Sequence, residues 1–335
     1  MSAKDLLQVF VGLGRPRVLV LGDLMLDRYT WGDAERVSQE APVIVLRADR
    51  QESRPGGAAN VANLLAGLEA DVTCSGMVGD DPAGGELKQL LAEAGTNCEL
   101  IVDDPARPTS VKQRFVGRAA NRHPSQILRV DHESHQPLDA QLENELIKRL
   151  TAAVPKHDVL LISDYGKGVC TARLLQAAIG AARDAGIPVM IDPSRQSPMS
   201  NYRGATLIKP NRVETELATG RKIGSTADAL EAGKQLCADL ASDMVLVTLD
   251  RDGMILVHSD GSGETFGTHA RAIYDITGAG DMVMAMVGLC VAAKADVADA
   301  VRLGNIAAGL EVERTGVAVI YRDEIMAELA SADGG

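Results

Sequence analysis

Aromatic side chains are scarce in this chain: 3% of 335 residues, with one tryptophan and three phenylalanines. A core with so few rings must lean on aliphatic residues, and a hydrophobic content of 46% supplies them. Alanine, valine, leucine and glycine in such proportions suit a parallel sheet covered by helices on both faces. Cysteine is sparse too. Cys74, Cys98, Cys170, Cys237 and Cys290 are odd in number and include no C-x-x-C pair, which fits reduced thiols in a cytoplasmic setting. Basic residues are outnumbered 46 to 34, the formal charge is −12, and no long basic run occurs. General affinity for nucleic acid or an anionic membrane is therefore excluded, although a few local cations would suffice for a phosphorylated substrate. No apolar run reaches the roughly 18 residues that a membrane span needs. The N-terminal MSAKDLLQVFVGLGRP is too polar for a signal peptide and predicts a short amphipathic helix ending at Gly12 or Gly14. With no Pro/Ser-rich linker, repeat or low-complexity segment, residues 1–335 are expected to form one domain.

What the chain does have is alternation. RVLVLGD predicts a strand stopping at a Gly-Asp turn, and PGGAANVANLLAGLEA a glycine turn feeding a helix. From DVLLISD onward, strands and helices follow one another regularly, through IPVMIDP, ATLIKPN and MVLVTLD, to a long helix opened by DITGAGD. That pattern predicts an α/β protein, a mostly parallel sheet between two helical layers, with ligands at the carboxyl ends of the strands. Two strand-rich stretches, about 29–54 and 107–131, break the alternation. Paired with each other they would form a small β-sheet lid. The second is basic, with Lys112, Arg114, Arg118, Arg122 and Arg129.

Four short stretches carry candidate chemistry. In DITGAGD, Gly278 and Gly280 permit a backbone nest at a helix N-terminus, where the amides of Gly278, Ala279 and Gly280 would hold an anion. Asp281 in the same place would repel a bound phosphate. It makes sense as a general base for a hydroxyl that attacks one. Gly56 and Gly57 let a ligand approach the backbone, and Asn60 follows in the first helical turn. Asn211 and Glu214 share a helix face and offer oxygens to waters around Mg²⁺. Thr248 and Gly253 flank a turn suited to a nucleotide. Each stretch also has a plain structural reading: a helix cap at Asp281, a glycine-rich helix start, a capping box at Asn211 and Glu214, a hairpin turn.

The four occur together, in one order and in matching strand–turn–helix contexts. With them the sequence resembles the ribokinase-like (PfkB) family of carbohydrate kinases over nearly its whole length. The resemblance implies a ribokinase-like three-layer α/β/α sandwich with a β lid, ATP as phosphate donor and Mg²⁺ as cofactor. It implies Asp281 as catalytic base, with Gly278, Ala279 and Gly280 as the anion hole. Asn211 and Glu214 would organise Mg²⁺ and phosphate, and Thr248, Asp250, Gly253 and Asn305 would border the nucleotide, with Ala308 near the adenine. Asp250 stands where the family often has glycine, a departure from its pattern. Asp27, Gly56, Gly57 and Asn60 match the sugar site, and Asp275 lies where a K⁺ often binds.

GDLMLDRY, SQEAPV, RPGGAANVA, LISDYGKGV and YRGATLIKPN are also similar to the heptose-7-phosphate kinases of lipopolysaccharide-core synthesis. That likeness implies phosphorylation of the anomeric hydroxyl of D-glycero-β-D-manno-heptose 7-phosphate, giving the 1,7-bisphosphate on the way to ADP-heptose. The distal phosphate needs cations, and Arg28, Lys112, Arg114, Arg118 and Arg129 are the candidates, though each has a plain role on a solvated lid face. Asp164 and Asp192, at neighbouring strand ends, are placed for sugar hydroxyls or Mg²⁺. Ser194 stands where a lysine is expected, and Lys209 would replace its charge. Many relatives continue into a nucleotidyltransferase domain, whereas a stand-alone kinase is expected here. A lid edge that needs covering suggests a homodimer. Two rivals are weaker. An NAD-dependent oxidoreductase would need G-x-G-x-x-G after the first strand, which is absent, and a non-catalytic sugar-binding regulator would not need Asp281 intact.

Overall fold

The apolar run after Arg17 does not stop at Gly22-Asp23. In the computed structural model, which describes residues 2–118, 124–268, 277–314, 316 and 318–331, it continues as one strand of 21 residues. The chain opens with α1 (Ala3–Gly12), capped by a reciprocal Ser2–Asp5 box, and enters that strand, β1 (Arg17–Val37). Then come β2 (Ile44–Gly57), α2 (Ala58–Gly67), β3 (Asp71–Gly79), α3 (Pro82–Glu93), β4 (Asn97–Asp104), β5 (Ser110–Arg118) and β6 (Ser125–His132). The middle holds α4 (Ala140–Ala153), β7 (Val159–Ser163), α5 (Ala172–Asp184), β8 (Val189–Asp192), β9 (Leu207–Ile208), α6 (Arg212–Thr219) and α7 (Thr226–Leu240). β10 (Met244–Thr248), β11 (Met254–His258), β12 (Gly263–Phe266), α8 (Ala279–Ala292), α9 (Val297–Val312) and α10 (Arg322–Ser331) complete it.

The main sheet runs β12-β11-β10-β9-β8-β7-β1-β3-β4, parallel except for the β10-β11-β12 edge. Successive residues of β1 point to opposite faces. Val18 and Val20 enter the aliphatic layer under α2, α8 and α9, while Leu19 and Leu21 enter the one under α4, α5 and α7. The three-layer α/β/α sandwich follows from that alternation. β4, α4, β12 and α10 were not anticipated, and the first three have weak patterns. Of α4 only Leu146 and Leu150 are buried, and of β12 only Phe266.

β1 also builds the lid. From Leu24 it leaves the parallel sheet and pairs antiparallel with β2, and from Met25 it pairs in parallel with β5, to which β6 adds. The two strand-rich stretches thus meet through β1 and β5. The expected glycine turn at residues 56–57 is instead the end of β2, paired with Met25 and Leu24. The strand passes straight into α2 because Gly57 takes φ +59°, where an added Cβ would lie 2.3 Å from Met25 Cε. On one side of β1 the chain proceeds to β3 and β4, and on the other to β7 and β8. The strand order therefore reverses at β1/β7, and a crevice opens at their carboxyl ends.

Candidate active site

α8 carries eleven buried residues among its fourteen, so its apolar body fixes where its N-terminus points. Gly278 caps it at φ +99°, leaving the first-turn amides of Ala279, Gly280 and Asp281 without intrahelical acceptors. Such amides, with the helix dipole behind them, favour an anion. Asp281 sits in this turn and is only 7% exposed. Its Oδ2 accepts a hydrogen bond from Asn60 Nδ2 at 2.8 Å, and its Oδ1 accepts one from the Tyr165 hydroxyl at 2.7 Å. Burial pushes the Asp281 carboxyl up to about 6, against the opposing pull of those two bonds. Burial and the neighbouring carboxylate hold the Tyr165 phenol protonated, so it donates. Asn60 is fully buried, and its Oδ1 has no partner among the described residues, an acceptor that a ligand hydroxyl would satisfy.

A cleft of about 970 Å³ opens beside this carboxylate. Lys209, 3% exposed, pairs with Asp192 at 2.9 Å on its floor. Burial opposes the lysine charge, but Asp192 outweighs it and holds the pKa above its ordinary value. A Cβ added to Gly280 would lie 3.5 Å from Lys209 Nζ, so this cation faces the α8 turn. Asn211 and Glu214 form the capping box of α6: Asn211 Oδ1 accepts from Glu214 N at 3.0 Å, and Glu214 Oε2 from Asn211 N at 2.9 Å. Among the described residues Glu214 Oε1 meets only half-exposed Arg195, at 3.4 Å. The plain and the functional readings of N-x-x-E therefore coexist. Thr248, Asp250, Gly253, Asn305, Ala308 and Asp164 line the same cleft. Asp250 adopts φ +54°, the backbone region that favours glycine, and Arg212 reaches it at 3.2 Å. The Asn305 amide donates to the Gly267 carbonyl. Asp275 and Arg122 lie outside the described residues.

The sugar-side candidates approach from the lid. Asp27 pairs with Arg114 at 2.8 Å, and Gly56 lies against the Asp27 carboxylate, where an added Cβ would approach it to 2.9 Å. Arg28 reaches away to Glu86 at 2.5 Å, Arg129 to Asp131 at 3.0 Å, and Arg118 to Asp33 and Asp49. Lys112 lies over the Tyr165 ring, 5.2 Å from its centroid, and has no carboxylate within 4.0 Å among the described residues. Asp164 is engaged by its own loop, accepting from Gly166 N and from the Tyr202 and Ser197 hydroxyls at 2.7–2.8 Å. The residue that sequence reasoning passed over is Tyr165. Its segment LISDYGKGV was noted for its likeness, yet nothing local marks the phenol as a partner of Asp281.

Residues 15–323 match the model of the pfkB family carbohydrate kinases. The bifunctional protein HldE of Geotalea uraniireducens (strain Rf4) is 39% identical over 332 residues, covering 99% of this chain and 66% of that protein. HldE of Geobacter metallireducens is 41% identical over 329 residues, 98% of this chain and 66% of that protein. The chain thus spans about two thirds of the length of these relatives. Among solved structures, Arabidopsis thaliana ribokinase complexed with ribose and ATP superposes with a TM-score of 0.72 at 19% identity, over 94% of this chain and 99% of that one. Escherichia coli phosphofructokinase-2 in complex with potassium gives 0.75 at 22% identity, over 95% and 99%. At such identities these two structures speak for the fold.

Proposed function

This chain belongs to the pfkB family of carbohydrate kinases and is a sugar phosphotransferase, and from that premise we propose that it uses ATP to phosphorylate the anomeric hydroxyl of D-glycero-β-D-manno-heptose 7-phosphate. The product is the 1,7-bisphosphate, a precursor of ADP-heptose for lipopolysaccharide cores. Identities of 39–41% with HldE proteins support the heptose assignment, together with the likeness of the N-terminal half to heptose-7-phosphate kinases.

The observation that carries a phosphosugar, rather than a neutral sugar, is Lys112. The lid cations Arg28, Arg114, Arg118 and Arg129 are each committed to a carboxylate, as is Lys167 to Glu133 at 2.7 Å. Lys112 alone among these has none within 4.0 Å among the described residues, and it lies one tyrosine ring from the base. Burial lowers its pKa; nearby Asp27 opposes that, and Arg114, Lys167 and Arg129 add to it. An anion arriving there would stabilise a buried charge that has no direct ion pair and that Asp27 offsets only in part.

In the transfer, the hydroxyl lies against Asp281, which takes its proton as the bond to phosphorus forms. Asn60 and Tyr165 hold the carboxylate, while the α8 amides and Lys209 face the charge on the transferred group. Glu214, whose Oε1 faces the cleft and meets half-exposed Arg195 at 3.4 Å, and Asn211 fit a hydrated Mg²⁺ held through water. The ion would neutralise phosphate charge.

A panel of sugars assayed for ADP release, with the product's phosphate position read by NMR, tests the assignment. Turnover of fructose 6-phosphate or ribose with none of heptose 7-phosphate would favour another sugar or phosphosugar kinase of the family. Lys112→Met is expected to raise KM for the phosphosugar about ten- to hundredfold, the worth of one charge-assisted contact. KM for ATP should stay unchanged, and an unaltered phosphosugar KM refutes the role. Val37, Ile44 and Leu128 leave the lid sheet with apolar side chains more than half exposed. A homodimer through the lid would cover them, and light scattering at micromolar concentration should give twice the monomer mass.

A further inference from the structure

Asp23 is 1% exposed and is not itself part of the cleft lining. It stands where β1 leaves the parallel sheet, and it faces the segment that follows β7. Its Oδ2 accepts from the backbone N–H of Tyr165 at 2.8 Å and of Lys167 at 3.1 Å, and its Oδ1 from that of Val169 at 3.1 Å. Gly166 at φ +67° and Gly168 at φ +89° bend the segment so that its amides converge on one carboxylate. The segment sets the Tyr165 hydroxyl 2.7 Å from Asp281 and carries Lys167, which pairs with Glu133.

Holding a second buried acid beside Asp164 is costly. Burial, with Asp164 adding to it, raises the Asp23 carboxyl to about 6. Other turns in this chain are closed more cheaply, by single hydroxyl or amide caps such as Thr171 and Asn211. A carboxylate differs from those in offering several acceptor sites and no donor, so it can gather three N–H groups at once. An asparagine amide would present its own N–H₂ to at least one of them.

We propose that Asp23 is a positioning residue for phosphoryl transfer: by gathering the amides of residues 165, 167 and 169 it fixes the loop that sets the Tyr165 hydroxyl against the Asp281 carboxylate. This rests on Asp281 being the base. The loop then decides the direction of the base, not substrate affinity, since Asp23 contacts no ligand-facing atom.

The test compares Asp23→Asn, Tyr165→Phe and the double variant in the full chain, following ADP release with the panel sugar that the wild-type chain phosphorylates. Each single change is expected to lower kcat about ten- to hundredfold, the scale of a misaligned reacting group, with KM for ATP and sugar within about twofold. The double variant should lose no more than the worse single, because both act through one hydroxyl. Multiplying losses, or a raised KM at full kcat, overturns the proposal. Should Asp23→Asn not fold, Tyr165→Phe still decides: full kcat in that variant overturns it. If Asp281→Asn retains turnover, the base assignment fails; if that variant is dead while Tyr165→Phe is fully active, only the positioning role fails.

Discussion

Replacing Asp281 with asparagine is expected to cut kcat about a thousandfold and, at pH 8, to make the protein more stable. The first effect is the usual worth of a general base whose position cannot be filled by water. The second follows from burial. The Asp281 carboxyl rises from 3.8 to about 6 on folding. A group with a raised folded-state pKa contributes stability that is complete below its unfolded value and lost as pH climbs through the folded one. Above pH 6 the protein therefore carries an ionised group it would hold more easily as the neutral acid. A shift of roughly two units corresponds to about 3 kcal/mol. A neutral amide escapes that cost, and the site can receive it. Tyr165 still has an oxygen to donate to, and a flip of the Asn60 amide would offer its unpartnered Oδ1 to the new N–H₂. Unfolding curves at pH 8 and pH 4 should show a gain of up to about 3 kcal/mol at pH 8 that nearly disappears at pH 4. Retained turnover would sink the base assignment, and no gain at pH 8 would sink the buried ionised acid. For the wild-type chain the same value places the acid limb of kcat near pH 6. Removing the Tyr165 hydroxyl, which pulls that pKa down, should move the limb to higher pH.

Two glycines of the same turn should fail in different ways. Gly278→Ala places a methyl at φ +99° and 2.5 Å from Glu311 Oε1, inside the buried wall behind the turn. Strain and clash together are expected to cost about 2–4 kcal/mol of stability, and to lower kcat about a hundredfold as the amides lose their aim. Among the described residues Gly280→Ala meets only Lys209 Nζ, at 3.5 Å, an ordinary contact. Its methyl intrudes on ligand space instead. Thermal unfolding should be unchanged within about 0.5 kcal/mol, while kcat falls and KM for ATP rises. Equal destabilisation in the two variants would show that the turn is not divided between a structural and a ligand-facing glycine.

Much of this molecule is legible in its sequence because the signals are local. Alternating strand and helix patterns define the three layers, N-x-x-E spacing defines the α6 capping box, and Gly-Ala-Gly-Asp before an apolar run defines the α8 N-terminus. Glycine and asparagine at those places are backbone statements, and backbone preferences act over a few residues. Weakly patterned pieces were lost for the same reason: α4 and β12 bury too few side chains to print a period.

The sequence by itself determined the fold class and the glycine turn that opens α8. Only the tertiary structure decided what surrounds Asp281 and which lid cation stays uncommitted. Asn60 and Tyr165 lie 221 and 116 residues from Asp281, and no periodicity spans such distances. The five lid cations look alike as a string. Strand register sets Lys112 opposite both Asp27 and Asp131, yet the side chains that reach those carboxylates are Arg114 and Arg129, and Lys112 lies over a tyrosine face. Which side chain reaches which carboxylate is settled only once the strands lie side by side, so the chain must fold before its charges can be sorted.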